Sequence, residues 1–247
     1  RPDELDGVGL KVDLPRPRHL KLSDYKVALW INDGLAPVSK EVQDRVVEVG
    51  RTITAAGGLV DYGARPNFEA TEAHDIFRTL LWSTMAARTP DVDFAKLLEA
   101  AQKLSPDDQS GGAQMLRIQT ITYHDHYTAH NKRMHLRWAW DAFFENYDAL
   151  IAPIMATTAF KHDHSAMAKR KITIDGEERP YWEQLFWAGL AVCSYLPSTV
   201  IPTGPNEEGL PIGVQIIGRQ YGDLETIGLS KLLEAEGYAF TPPPGYS

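Results

Sequence analysis

The chain has 247 residues, 43% of them hydrophobic and 10% aromatic, which suits one large domain or two small ones and rules out a disordered segment. Its 33 acidic residues outnumber 25 basic ones, and a net charge of −8 argues against a nucleic-acid backbone as the main partner. A single cysteine, Cys193, excludes an internal disulfide framework and a zinc ribbon.

The opening Arg1-Pro2-Asp3-Glu4 has no Met and no basic-then-apolar leader, so no signal peptide is expected and the chain reads as cut from something longer. Tyr25 to Ile31 is a short β-rich run ended by the turn-forming Asn32-Asp33-Gly34, which predicts a strand. After Pro37, apolar residues at Val38, Val42, Val46, Val49 and Ile53 recur every three or four positions, a helix stopped by Gly57-Gly58. Leu59-Val60-Asp61-Tyr62 predicts a second strand, and a strand, helix, strand unit demands a parallel pair with a right-handed crossover. The fold class is α/β.

From Asn67 to Tyr147 helices dominate: one over about Phe68–Ala87, one over about Phe94–Lys103, and a long one starting near Gly112. On the long one, Met115, Ile118, Thr122, Leu136, Ala139 and Phe143 hold a helical spacing, with Arg133, Arg137 and Asp141 off that stripe. Ala149 to Pro153 is a compact apolar run suited to a strand buried on both faces. Ile172 to Glu177 carries an Asp-Gly turn and predicts a small hairpin. A helix over about Tyr181–Cys193 follows, then strands at Ser198–Pro202 and Ile212–Ile217 joined by a loop over Thr203–Leu210. Leu224, Ile227, Leu232 and Leu233 carry a last helix, stopped by Gly237, and Pro242-Pro243-Pro244 is a tail.

Gln184 to Asn206 is long enough to span a bilayer and has no charged residue, yet Pro197 and Pro202 would break the helix. A buried helix followed by a buried strand fits better, and a mean hydropathy of −0.30 agrees.

Sharp chemical motifs are few. His124, His126, His130 and His135 crowd one helix, and the i, i+4 pair His126 and His130 could face one metal. The zincin pattern needs Glu after the first His, where this chain has Tyr127, so ordinary surface histidines are favoured, there and at His162 and His164. Cys193 and Ser194 sit in no nucleophile elbow; Gly213 and Gly218 flank a strand and do not form a phosphate loop. The acidic pairs Asp107-Asp108 and Glu207-Glu208 read as solvated loop charge.

Four stretches occur in order: Pro2-Asp3-Glu4-Leu5-Asp6-Gly7 leading to Lys26-Val27-Ala28-Leu29-Trp30; Tyr147-Asp148-Ala149-Leu150-Ile151-Ala152-Pro153-Ile154; Leu196-Pro197-Ser198-Thr199-Val200-Ile201-Pro202-Thr203-Gly204; and Gly209-Leu210-Pro211-Ile212-Gly213-Val214-Gln215-Ile216-Ile217-Gly218-Arg219. Together they resemble the carboxy-terminal half of the amidase signature family of hydrolases.

The resemblance implies that residues 1–247 are part of a single α/β domain, contributing part of a mixed twisted β-sheet flanked by helices. It also implies hydrolysis of carboxylic amides to acid and ammonia or amine, through a Ser, cis-Ser, Lys triad and glycine-rich oxyanion donors. Those parts lie in the family's amino-terminal half. Here Ser110-Gly111-Gly112-Ala113 is the nearest approach to the Gly/Ser-rich signature and lacks its serines, while Lys161, Lys169 and Lys231 stand in polar contexts. No catalytic residue is therefore assigned, and the chain alone is expected to be inactive.

By the same resemblance the half lends walls to the acyl pocket. The candidates are Ile154, Met155, Ala156 and Thr157 after the second stretch, and Trp182, Phe186 and Trp187 on the helix before the third. Where the family has a small Ala-Gly pair this chain has Ser194-Tyr195, so Tyr195 would narrow the pocket. Neither a metal nor a cofactor is expected. The partners expected are a small-molecule amide, the missing amino-terminal half and a second copy of the chain, with neither nucleic acid nor membrane, in the cytoplasm. Two other readings stay open: a non-catalytic binding or structural module on the same half-fold, and a metal-dependent hydrolase using the His-rich helix.

Overall fold

The computed structural model describes residues 3–166, 169–243 and 245–246; Arg1 and Pro2 of the opening and Pro244 of the tail lie outside them. By contact density the chain divides into two units, Arg1–Asn67 with Trp140–Ser247, and Phe68–Ala139.

The first unit is built on a five-stranded sheet of β1 (Lys26–Leu29), β2 (Leu59–Asp61), β3 (Ala149–Pro153), β6 (Ser198–Pro205) and β7 (Pro211–Ile217). Their order across the sheet is β2-β1-β3-β7-β6. β1 runs parallel to both β2 and β3, whereas β7 runs antiparallel to β3 and to β6, so the sheet is mixed. The predicted strand, helix, strand opening is present with its parallel pair.

Alternation assigns the faces. Val27, Leu29, Ile151, Val214, Ile216 and Ile201 join Val46, Val49 and Ile53 of helix α1 (Lys40–Ala55) and Leu229 and Leu233 of α7 (Asp223–Ala235) in one buried cluster. The valine and isoleucine stripe of α1 is that buried face. The helix approaches β1 so closely that a Cβ on Gly50 would meet Leu29 Cδ1 at 2.5 Å. Gly57, at φ +93°, ends the helix and turns the chain into β2. All five residues of β3 are buried, which is why its sequence is a continuous apolar run.

The amino-terminal arm is mostly exposed until Pro17, then is clamped to the strand starts. Arg18 forms an ion pair with Asp148 at 2.8 Å, His19 reaches the same carboxylate at 3.2 Å, and the other oxygen of Asp148 accepts from the Lys26 amide at 2.7 Å. The Arg18 amide donates to the buried Glu225 at 2.7 Å. Burial and this neighbouring Glu225 carboxylate push the Tyr25 phenol well above its ordinary range.

The predicted hairpin is β4 (Lys171–Ile174) with β5 (Glu177–Pro180), closed by Asp175 at φ 49° and Gly176 at φ 87°. The helix predicted over Tyr181–Cys193 starts as a tighter 3-10 turn, Tyr181–Gln184, before α6 (Leu185–Val192). β6 runs on to Pro205, past the predicted end at Pro202, and shortens the loop to residues 206–210. Edge strands tolerate proline, which is why Pro202 and Pro205 do not stop it.

The second unit holds α2 (Ala70–Ala86), α3 (Asp91–Gln102), α4 (Gly111–Gln119) and most of α5 (Tyr123–Phe144). The single long helix predicted from Gly112 is a correction: two helices stand there. Thr122 starts the second, its Oγ1 accepting from the Asp125 amide at 3.1 Å and donating to the Asp125 carboxylate at 2.7 Å. The Thr120-Ile121-Thr122 run is a poor helix interior, and a Thr that can cap wins over periodicity.

Candidate functional site

The chain leaves β1 to form β2 on one side and β3 on the other, so the carboxyl ends of β1 and β3 flank a topological switch point. Open α/β sheets bind ligands at such points. Trp30 stands just after β1 and is buried, with its indole N–H on Asp33 at 3.2 Å and the Arg65 guanidinium 4.9 Å over its ring. Arg65 also donates to the Leu29 carbonyl at 2.8 Å. Asn32 and Asp33 shape the turn into α1, accepting from the amides of Val38 and Leu35, both at 2.9 Å.

Across the switch point, β3 hands over to Ile154, Met155, Ala156 and Thr157. The Ala156 carbonyl accepts from the Ser39 amide at 2.8 Å, and its side chain is buried with Ile172 and Ile174 of the hairpin. Asp175, at the hairpin tip, accepts from the Lys40 amide at 2.9 Å and so caps α1 from another part of the chain. Met155 is 39% exposed, and Ile154 and Thr157 are half-buried.

Phe186 and Trp187, at 2% and 0% exposure, form an edge-to-face cluster with Trp30, at centroid distances of 5.6 and 6.3 Å. The Trp187 indole donates to the Ala36 carbonyl at 3.0 Å. Trp182 is half-buried, edge-on to Tyr181 at 5.2 Å. Seven of the eight expected wall residues therefore belong to segments that meet near the carboxyl end of β3. Tyr195 does not. It precedes β6, whose start is level with Ile217 and Leu150, while Ile154 follows the Pro153 end of β3, so the strand length separates them. Tyr195 is 48% exposed and holds φ +58° at the end of α6, a position where glycine is usual.

Beside the Ala156 and Asp175 contacts lies an open cavity of about 660 Å³, whose walls include Lys40, Glu41, Asp44, Thr158, Asp175 and Glu207. These walls are charged, unlike the apolar ones expected, and none of the eight residues lines it.

A family model described as Amidase matches residues 7–227, most of the chain. The chain belongs to the amidase signature family. Among curated relatives of the chain, a glutamyl-tRNA(Gln) amidotransferase A subunit from Clostridium acetobutylicum is 23% identical, over 94% of this chain and 47% of the relative. Its counterpart in Brevibacillus brevis is 24% identical over 94% and 49%. Among solved structures, a bacterial aryl acylamidase of the amidase signature family superposes with a TM-score of 0.65 at 21% identity, covering 98% of this chain and 51% of that one. The glutamyl-tRNA(Gln) amidotransferase A subunit of Thermotoga maritima gives 0.62 at 16% identity, covering 94% and 47%. The chain thus spans about half the length of the relatives it matches, and the structural likeness shows the α/β fold.

The histidines of α5 do not converge. His126 Nδ1 is 3.0 Å from Ser83 Oγ, and His130 Nδ1 is met by the Arg133 guanidinium, a cation where a metal would need a free lone pair. Among the described residues, no three His, Cys, Asp or Glu side chains are grouped to hold a metal ion. Cys193 is buried and in no disulfide, and no described helix of the chain is long and apolar enough to cross a membrane. Sequence reasoning missed Trp30, Arg65 and Gln215. The signal available for the first two was their place at the carboxyl end of the predicted strand Tyr25–Ile31 and shortly after the predicted strand Leu59–Tyr62, where α/β folds put ligands.

Proposed function

We propose that this chain is the carboxy-terminal part of an amidase signature hydrolase of carboxylic amides, releasing acid and ammonia or amine. The observation that carries the reading is the family match over residues 7–227 in a chain half as long as its relatives. In this reading the chain supplies part of the sheet and the wall of the acyl pocket, while the Ser, cis-Ser, Lys triad belongs to the amino-terminal half of the family's domain. Ile154, Met155, Ala156, Thr157 and Trp182 form the wall, with Phe186 and Trp187 packed behind it against Trp30. Tyr195 enters the wall on the resemblance alone. The substrate is a small-molecule amide, and the partners are the amino-terminal half and, when the chain is alone, a second copy. A cytoplasmic setting is part of the proposal.

Amide cleavage needs a nucleophile, a proton carrier and oxyanion donors held together. The test is to assay the chain against aryl and aliphatic amides, alone and after adding the separately expressed amino-terminal half. The expected result is hydrolysis by the pair and none by the chain alone. Turnover by the chain alone, abolished by a Ser- or Cys-directed inhibitor that labels it, would overturn the reading. Binding of amides by the pair without turnover would favour a non-catalytic module.

A further inference from the structure

We infer that Gln215 is a positioning residue, holding the Trp187 backing and the end of β3 in fixed register behind the candidate acyl wall; this rests on the wall proposed above. Gln215 lies in β7 between Val214 and Ile216, where an aliphatic side chain would continue the run, and it is 0% exposed. A buried amide in such a strand is unfavourable unless every hydrogen-bonding group is used. Here each end is used. Nε2 donates to the Pro153 carbonyl and to the Trp187 carbonyl, both at 2.8 Å, and Oε1 accepts from Ser198 Oγ at 2.9 Å. Both partners of the nitrogen are carbonyl oxygens, which only accept, so the orientation of the amide is decided by its partners.

The two carbonyls are informative. Pro153 is the last residue of β3, directly before Ile154, and Trp187 reaches through its indole to Ala36 in the turn between β1 and α1. One side chain therefore ties β3, α6, β6 and, through Trp187, the exit of β1. A displaced substrate wall weakens binding of the acyl group it contacts, and a buried, fully used amide is a means of preventing the displacement. Sheet and helix packing already hold these elements together through apolar contacts; what the amide adds is alignment.

Two variants test this. Gln215→Met keeps length and volume in an apolar surrounding but removes both donors. Ser198→Ala removes only the hydroxyl on Oε1 and leaves the core filled. With 5-fluorotryptophan incorporated and the Trp187 signal assigned through Trp187→Phe, the ¹⁹F resonance of Trp187 in the full chain should shift or split in Gln215→Met and move less, in the same direction, in Ser198→Ala. In the pair with the amino-terminal half, KM for a bulky acyl amide should rise about tenfold in Gln215→Met, with kcat within about threefold and a smaller change for a small acyl amide. An unmoved Trp187 resonance in both variants, or kcat and KM altered equally for both amides, would overturn the inference. If the wild-type pair hydrolyses no amide, the proposed function fails while the ¹⁹F result still decides the role of Gln215; if Gln215→Met does not fold, Ser198→Ala decides it.

Discussion

The sheet unit and the helical unit of this chain bury their residues in different ways. In the first, all five residues of β3 are buried, and α1 turns Val42, Val46, Val49 and Ile53 inward as one stripe. In the second, α3 has no buried residue and the only buried residue of α4 is Ala113, while α2 buries Ile76, Phe77, Leu80 and a histidine. An element with little buried area draws little stability from tertiary packing and opens locally at low free energy. The contrast teaches that a family match can run through regions of unequal mechanical strength, and that a wall meant to hold a substrate belongs in the stronger one.

The comparison is easiest to break at its strongest point. Asp148→Ala would leave Arg18 and His19 without their shared carboxylate and the Lys26 amide without its acceptor, and, with Arg18 partly exposed and still near Glu225, should cost about 2–3 kcal/mol in urea unfolding. A loss under about 1 kcal/mol would mean that the arm adds nothing to the sheet. In the helical unit, burial pushes the His74 imidazole down to about 4, with the nearby Arg78 adding to the shift. The unfolded chain, with an ordinary histidine near 6.5, then takes up the proton first, so stability is full above that pH and falls as pH drops toward 4. The expected loss across this window is about 1–3 kcal/mol, and His74→Gln should flatten the slope measured by pH-dependent unfolding.

Two truncations sharpen the picture. Trp187→Phe keeps an aromatic ring but removes the bond to Ala36 and leaves a small cavity; about 2–3 kcal/mol is expected in thermal unfolding. Leu98→Ala on α3 removes a side chain that is 40% exposed and should change stability by less than about 1 kcal/mol. Amide exchange would check the whole contrast, with α3 exchanging much faster than β3.

Much of the fold was legible because its signals were local and redundant. The α1 stripe, the β3 apolar run and the Asp175-Gly176 turn each state their structure within a few residues. The break at Thr122 was not legible from periodicity, since apolar spacing continues across it and only the capping hydroxyl marks the new helix. The site was less legible for a physical reason: it is made of segments around residues 30, 65, 154 and 187, and nothing within any one of them states that they meet. Phe186 and Trp187 show the same limit, because adjacent helix positions point about 100° apart, yet both rings meet Trp30 and both are buried. Tyr195 stands out by its bulk where the family has glycine, and its left-handed backbone is the physical reason that glycine suits the position.

Pro202 on β6 limits how this sheet can grow. Having no N–H, it can stand beside Gly213 only with its nitrogen turned away from β7, toward the open side. Strand alternation turns the amides of Ser198 and Val200 the same way, so those two are the donors that β6 offers before the proline interrupts the ladder. An added strand could zip only along the first half of this edge, and a second copy meeting it would find a short handhold rather than a template for open-ended stacking.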